Sequence, residues 1–582
     1  MKYNLNSNVT VQKENNQIIL TNQQLNHTTT LIDLSATLFE LILEKDDNNI
    51  IKDLIKEYNC SHTEAIYTLN SLIYHLLDGN YITSNNKFEF DNQTIYPQFC
   101  IIEITDKCNF KCEHCYVHKT NTKMLSFDEI KIFCDELYSI NCNRITLTGG
   151  EIFTHPQFLD IYNYLYNKGF LIALNTNCSL LNDNILQNLI QKPPFAIEIS
   201  LYGNNKENFN NFTKTQNFFD ITIQNINKLK AENITVRLKN VLTNKNKHCF
   251  NEIKNLAHQL NVQFRSDYYV FPNTKQIGTM NKELISPQEA LSYLEQQPNA
   301  TEFYIKKFNN QNNSNYIFKC KYNDDSIFVD SSFNISMCIC MQHANIKYQP
   351  NKLKNIIGEL QNIKNLQYST NSKCKDCNLK PLCRYCPAKF YQITKSYEIP
   401  HQWFCDLGNL IYNKFIKGYK FLKTTYLNNE ILDSLYNIIV YNNTSLGYQI
   451  KDEDKIIWQQ NLIKNLQNAN YHLYIIYLNG KIVGFFCIEI FNNIPYVCEV
   501  QFSEDNKNTR LILHTINRIL NLKELQEYED IYFGINKNNI KSINTFTHLG
   551  AIQVSQTERA YRYKISKNKA FHYLQKFNLK KE

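Results

Sequence analysis

ITDKCNFKCEHCYVHK, Ile104 to Lys119, sets Cys108, Cys112 and Cys115 at C-x3-C-x2-C spacing with Tyr116 directly behind the last thiol. The apolar run QFCIIEIT, Gln98 to Thr105, reads as a strand, so the first thiol falls just past a strand's C-terminal end. Helix and strand patterns alternate beyond it. SFDEIKIFCDELYSI is a helix, and RITLT, LIALNT, AIEISL, VRLKNVL and VQFRSDYYV are strands with helical stretches between them. That repetition predicts an α/β fold, a partial (βα)6 barrel with its chemistry at the strand C-terminal ends.

Three thiolates can hold three irons of a [4Fe–4S] cube and leave the fourth iron open to a substrate. A structural zinc site wants four ligands in close pairs, and this spacing is wrong for that.

The 582 residues are too many for one core, so about three or four domains are expected. A net charge of +8, spread thinly, gives no case for nucleic-acid or membrane binding. No long apolar run and no basic-then-apolar start appears, so a cytoplasmic protein is expected. In that compartment 19 cysteines call for metal chemistry rather than disulfides.

Residues 1–94 read as a small winged-helix module. NVTVQKENNQIIL turns at Asn15-Asn16, Ser35 can cap ATLFELIL, Asn49 opens IIKDLIKEY, and Ser61 with Glu64 makes a capping box. Its recognition-helix stretch lacks the Arg and Lys that phosphates require.

Eight cysteines lie between Cys320 and Cys405, and CKDCNLKPLCRYC has the pattern C-x2-C-x5-C-x2-C. So much thiol in a short region points to metal, although Cys-x2-Cys pairs also serve zinc. In the last module, residues 436–582, YHLYIIYLNGKIVGFFCIEI is a hairpin about Asn479-Gly480. A third strand, PYVCEVQFS, the helix TRLILHTINRIL, and IYFGINKNN with SINTFTHLGAIQV follow.

The cysteine stretch resembles the defining motif of the radical S-adenosylmethionine (SAM) family. By that resemblance SAM chelates the open iron, and Tyr116 packs near its adenine. LTGGE, with Gly149, Gly150 and Glu151, resembles the loop that holds the SAM amino group, and Ser200 in ISLYG stands near the ribose. Many relatives carry an Arg about a dozen residues after that serine. Here the run is TKTQNF, Thr213 to Phe218, which leaves open whether Lys214 supplies the cation.

Residues 95–305 are then the barrel, and 306–415 resemble the SPASM extension with two auxiliary [4Fe–4S] clusters. The resemblance implies that Cys374, Cys377, Cys383 and Cys405 hold one, while Cys320, Cys338 and Cys386 hold the other, with Cys340 the candidate fourth ligand. Two residues separate Cys383 from Cys386 where the family usually has three, and Phe333 stands where it usually has glycine.

The first module resembles peptide-recognition elements that capture a leader peptide as an added strand. The last resembles GNAT acyltransferases. Its turn SEDNKNTRLI lacks the glycines that hold a pyrophosphate, and Phe546 replaces a tyrosine acid.

These resemblances imply a radical SAM maturase that generates a 5′-deoxyadenosyl radical to modify a ribosomally synthesised precursor peptide bound through its leader. Three clusters, SAM and an electron donor such as flavodoxin or ferredoxin are implied. One alternative is a radical enzyme acting on a folded protein or small molecule. The other is a coenzyme-A-dependent acetyltransferase with a structural or redox-sensing iron–sulfur part. The sequence names neither the bond made nor a catalytic base.

Overall fold

The structure is a computed structural model. It describes residues 3–576 apart from 7–8, 15–16, 23–26, 59–64, 66–67, 70–71, 74–75, 77–80, 85–95, 118–122, 272–277, 311–313, 319, 321–325, 425–426 and 507–508. The chain divides into two compact units, Met1–Tyr293 with Asn312–Leu407, and Leu294–Gln311 with Gly408–Glu582. Among the described residues no helix is long and apolar enough to cross a membrane.

In the first unit, strands Val9–Glu14, Gln17–Asn22 and His27–Ile32 form an antiparallel sheet. Pairing of Glu14 with Gln17 brackets the expected Asn15-Asn16 turn, which itself lies outside the described residues, as does the Ser61–Glu64 capping box. The third strand was not expected from its Thr-rich sequence. It runs straight into the helix Asp33–Glu44, and this displaces the expected cap. Ser35 sits in the first turn instead, donating to the Ile32 carbonyl at 2.7 Å and accepting the Ile32 N–H at 2.9 Å. Asn49 likewise lies inside the helix Asp47–Tyr58, its N–H donating to the Asp46 carboxylate at 3.1 Å. These elements share a core that runs only from Tyr3 to Ile82.

The parallel strands are β1 (Phe99–Glu103), β2 (Arg144–Thr148), β3 (Leu171–Thr176), β4 (Ala196–Ser200), β5 (Val236–Val241) and β6 (Gln263–Asp267), side by side in chain order. Side chains alternate across a strand, so one face and its opposite differ in chemistry. Ile102, Leu147, Leu174, Ile197, Ile199 and Leu238 are fully buried. Several alternate positions, Asn175, Glu198, Ser200 and Lys239, are polar and half-buried.

The helices between the strands begin where polar caps stop the backbone. Ser126 and Glu129 form a capping box, and Asn182 and Asn205 cap the helices Asp183–Gln191 and Lys206–Thr213. A seventh strand, Ser326–Val329, pairs parallel with β1 on its other side. Asn334–Ser336 and Ile346–Lys347 extend it antiparallel.

Phe333 enters that hairpin with φ 62°, a left-handed conformation at the position where glycine was expected. Its ring is buried, 4.5 Å from Tyr348 and 5.4 Å from Phe133 between centroids. Phe333→Gly should relieve about 1–2 kcal/mol of backbone strain but forfeit about 3–5 kcal/mol of ring burial. A net loss of about 2–3 kcal/mol is expected in denaturant unfolding; a gain in stability would mean the backbone strain outweighs the packing.

In the second unit a seven-stranded sheet runs Tyr419–Thr424, Tyr471–Leu478, Lys481–Phe491, Ile494–Phe502, Asp530–Asn536, Ala560–Ser566 and Ile552–Gln556 in spatial order. Asn479 and Gly480 have φ 50° and 86° between the paired Leu478 and Lys481, the tight turn expected of Asn-Gly. The helix Ala300–Asn309 belongs to this unit: Tyr304 stacks on Phe415 at 5.0 Å, and the Asn309 amide donates to the Gly480 carbonyl at 2.8 Å.

Candidate active site

β1 delivers the chain to Thr105 and Asp106, and the loop that follows carries Cys108, Cys112 and Cys115, each partly exposed and in no disulfide. Several anchors fix this loop. The Cys108 sulfur accepts the Phe110 N–H at 3.4 Å, and the Lys111 N–H donates to the Thr213 carbonyl at 2.9 Å. The Asn109 amide donates to the Ser179 hydroxyl at 2.8 Å and its oxygen accepts from Asn177 at 2.9 Å. Ser179 donates to the Asn177 oxygen at 2.6 Å, closing a polar ring that ties the loop to the end of β3.

Glu113, within the loop, faces the ammonium groups of Lys245, Lys282 and Lys214 at 2.6, 3.2 and 3.7 Å. Hydrogen bonds from Lys245 and Lys282 hold its carboxyl down to about 2.

Gly149 and Gly150 follow β2 and press against the root of the same loop. The Gly150 N–H donates to the Thr105 carbonyl and the Glu151 N–H to the Lys107 carbonyl, both at 2.8 Å. A Cβ on Gly150 would stand 2.3 Å from the Lys107 carbonyl oxygen, and one on Gly149 2.4 Å from that of Thr105. Only glycine fits there. Glu151 turns inward, 1% exposed, and accepts the Thr176 hydroxyl at 2.5 Å, the Asn177 N–H at 2.7 Å and the Phe153 N–H at 3.2 Å. Burial nevertheless pushes its carboxyl up to about 7. Its side chain therefore joins the ends of β2 and β3, and its neighbours' backbone borders the cysteine loop.

Ser200 ends β4, and Tyr202 beyond it engages Ser200 by a side-chain hydrogen bond and lies near all three loop thiols. Tyr202 stacks on Phe212 at 4.4 Å, with His114 against both rings at 4.6 and 4.8 Å. Tyr116 stands near Tyr202, Cys115 and the carboxyl of Glu103, and its ring lies 6.4 Å from that of Phe271. Burial raises the Glu103 carboxyl to about 7, although Ser331 donates to it at 2.8 Å. Asn109, Asn177, Ser179 and Tyr202 are not singled out by spacing, because the loops that unite them lie some 70 residues apart. Only the placement of each just past a strand end could have flagged them.

The second cysteine field forms two groups. Cys340 donates hydrogen bonds toward Cys338 and Cys386, favouring the thiolate at both and the thiol at Cys340. Lys389 adds to this at Cys386, lowering its thiol further. Cys374, Cys377, Cys383 and Cys405 are neighbours of one another. Burial and the other thiols push Cys374 to about 11 and Cys383 to about 12, crowding that a bound cation would relieve. Cys320 is exposed.

Arg384, between the two thiols of Cys383 and Cys386, has φ 55° and pairs in bidentate fashion with Asp267 at the end of β6, at 2.5 and 3.1 Å. Among the described residues no three His, Cys, Asp or Glu side chains converge tightly enough to hold a single metal ion. Three cysteine thiols on one loop are the donor type that an iron–sulfur cube takes.

The sequence profile of the radical SAM superfamily matches residues 102–260. The Bacillus subtilis antilisterial bacteriocin subtilosin biosynthesis protein AlbA is 27% identical over 233 residues, 37% of this chain and 51% of that protein. The AdoMet-dependent heme synthase of Methanosarcina barkeri is 27% identical over 179 residues, 30% of this chain and 51% of that protein. The chain thus spans about half the length of these curated relatives. The crystal structure of Streptococcus suis SuiB bound to S-adenosylmethionine aligns over 69% of this chain and 99% of that one, at 14% identity and a TM-score of 0.44. The superfamily match runs from inside β1 to the helix before β6, over the strands whose ends hold the cysteine loop and its glycine support, and it makes residues 102–260 a radical SAM domain.

Proposed function

We propose that the chain is a radical SAM maturase of a ribosomally made peptide. The observation that carries the reading is the three-thiol loop, tied by Asn109 and Lys111 to Ser179, Asn177 and Thr213, whose three sulfurs would leave one iron of a cube without a ligand from that loop. When bound, a [4Fe–4S] cluster and SAM supply a 5′-deoxyadenosyl radical that takes hydrogen from unactivated carbon. Cys108, Cys112 and Cys115 hold the cluster. The Gly149-Gly150 backbone and Ser200 receive SAM, and the Tyr202, Phe212 and His114 rings keep water from the loop. Cys374, Cys377, Cys383 and Cys405 hold one auxiliary cluster; Cys338, Cys340 and Cys386, with Cys320, hold the second. The relative whose name links it to bacteriocin biosynthesis supports a peptide substrate. The heme synthase favours a second reading, a small-molecule substrate.

The peptide would add as a strand to the edge of the sheet formed by Val9–Glu14, Gln17–Asn22 and His27–Ile32. That module has its own core. Deleting residues 1–94 should therefore leave uncoupled formation of 5′-deoxyadenosine within about threefold while peptide modification falls by about a hundredfold, as expected when a bound substrate must be captured from solution. Equal processing by the shortened and full chains would favour the small-molecule reading.

The tail should not transfer acetyl groups. Phe546 packs its ring 4.5 Å from Phe533 against the sheet core and has no proton to give. Lys507, and the side chain of Arg510, lie outside the described residues. A mass gain of one acetyl group on the peptide, lost when residues 436–582 are removed, would overturn this.

A further inference from the structure

We propose that Lys214, Lys245 and Lys282, gathered about Glu113 in the cysteine loop, form with the exposed Lys111 of that loop the docking surface for an acidic one-electron carrier protein. The inference rests on the radical reading above, because that chemistry needs an electron delivered to the loop's thiol-held cluster.

Two carboxylates of this unit each gather three cations: Glu198, its side chain 12% exposed, takes Arg237, Lys239 and Arg265, whereas Glu113, 33% exposed, lies in the cysteine loop itself. Lys206 pairs with Asp220, Lys228 with Asp183 and Lys247 with Glu289, one cation to one carboxylate. Glu113 instead faces three ammonium groups within 3.7 Å. Lys111, exposed, lies two residues before it in the same loop. The carboxylate of Glu283 lies near Lys245 and is 6% exposed, so three cations face two acids.

The lysines come from four separate parts of the chain. Lys214 takes a left-handed conformation, φ 56°, directly after Thr213, whose carbonyl binds the Lys111 N–H. Lys282 keeps 76% of its side chain exposed and Lys214 46%. Gathering like charges costs free energy unless a partner neutralises them.

Glu113 directly follows Cys112 and is two residues before Cys115, so a protein seated on this patch sits over the thiols an electron must reach. A cationic surface speeds encounter with an acidic partner and lets it leave again, which a carrier that turns over requires. The step moves one electron from the reduced carrier to the loop's cluster. The carrier departs oxidised by one electron, and no bond forms or breaks.

The test compares the full-length protein with its Lys245→Gln/Lys282→Gln variant, using reduced flavodoxin or dithionite as electron source and 5′-deoxyadenosine as product. At low salt the flavodoxin concentration for half-maximal rate should rise about tenfold in the variant. Lys245→Arg/Lys282→Arg should restore it, and dithionite-driven rates should match in all three. Binding of oxidised flavodoxin, read by flavin fluorescence anisotropy, should weaken by the same factor. Added salt should weaken binding in the unmodified protein more steeply than in the variant.

Unchanged flavodoxin dependence would overturn the proposal. So would an equal loss with dithionite, which would make the lysines supports of the loop, or a loss confined to peptide modification, which would make the patch a peptide site. If the unmodified protein forms no 5′-deoxyadenosine with dithionite, the radical reading itself fails.

Discussion

Replacing Cys108, Cys112 and Cys115 together with alanine should abolish reductive cleavage of SAM while leaving the protein folded. The thiols are partly exposed on a loop, so truncating them opens no core cavity. The loop keeps its other anchors: Asn109 to Ser179 and Asn177, Lys111 to Thr213, and Gly150 to Thr105. Iron should fall from about twelve to about eight per chain, on the count of four per cube, because the auxiliary groups rest on other residues. Product should drop below detection, since on the proposed assignment only the loop cluster leaves an iron open. Persistent 5′-deoxyadenosine in the triple variant would remove the assignment. An unmodified protein with about four irons and bound zinc would remove the auxiliary clusters.

The barrel strands were legible because RITLT and LIALNT present apolar residues to a fully buried face. The cysteine loop was legible because its chemistry depends on spacing within eight residues. What escaped the sequence depended on partners distant along the chain. Ser35 and Asn49 have cap-forming side chains. Which turn they occupy was decided by the strand His27–Ile32 and by Asp46. Phe333 stands where the resembled family usually has glycine, and its left-handed φ accords with that; that a ring is held there is explained only by Phe133 and Tyr348, which pack on it. Glu151 reads as a ligand residue in a Gly-Gly-Glu turn. Its inward carboxylate is explained only by Thr176 and Asn177, some 25 residues away. The helix Ala300–Asn309 straddles the expected barrel end at residue 305, yet it belongs with the C-terminal unit, where Tyr304 finds Phe415.

Gly150→Ala tests whether the backbone root of the cysteine loop matters as much as the thiols. The new methyl would lie 2.3 Å from the Lys107 oxygen, 2.6 Å from its carbonyl carbon and 2.7 Å from the Asp106 oxygen. All three atoms are backbone, so no side chain can swing away. Either β2's end or the cysteine loop must move by about an ångström, and misplacement on that scale costs on the order of a hundredfold in rate. Overpacking should also cost about 1–3 kcal/mol of stability. Gly358→Ala is the counter-experiment. Gly358 lies inside the helix Leu353–Lys364, and a methyl added there would meet nothing within 4 Å. Alanine at that position should raise stability by about 0.5–1 kcal/mol and leave SAM cleavage unchanged. A Gly150→Ala protein that cleaves SAM within about threefold of the unmodified rate would mean the loop root is soft, and that the thiols alone position the chemistry.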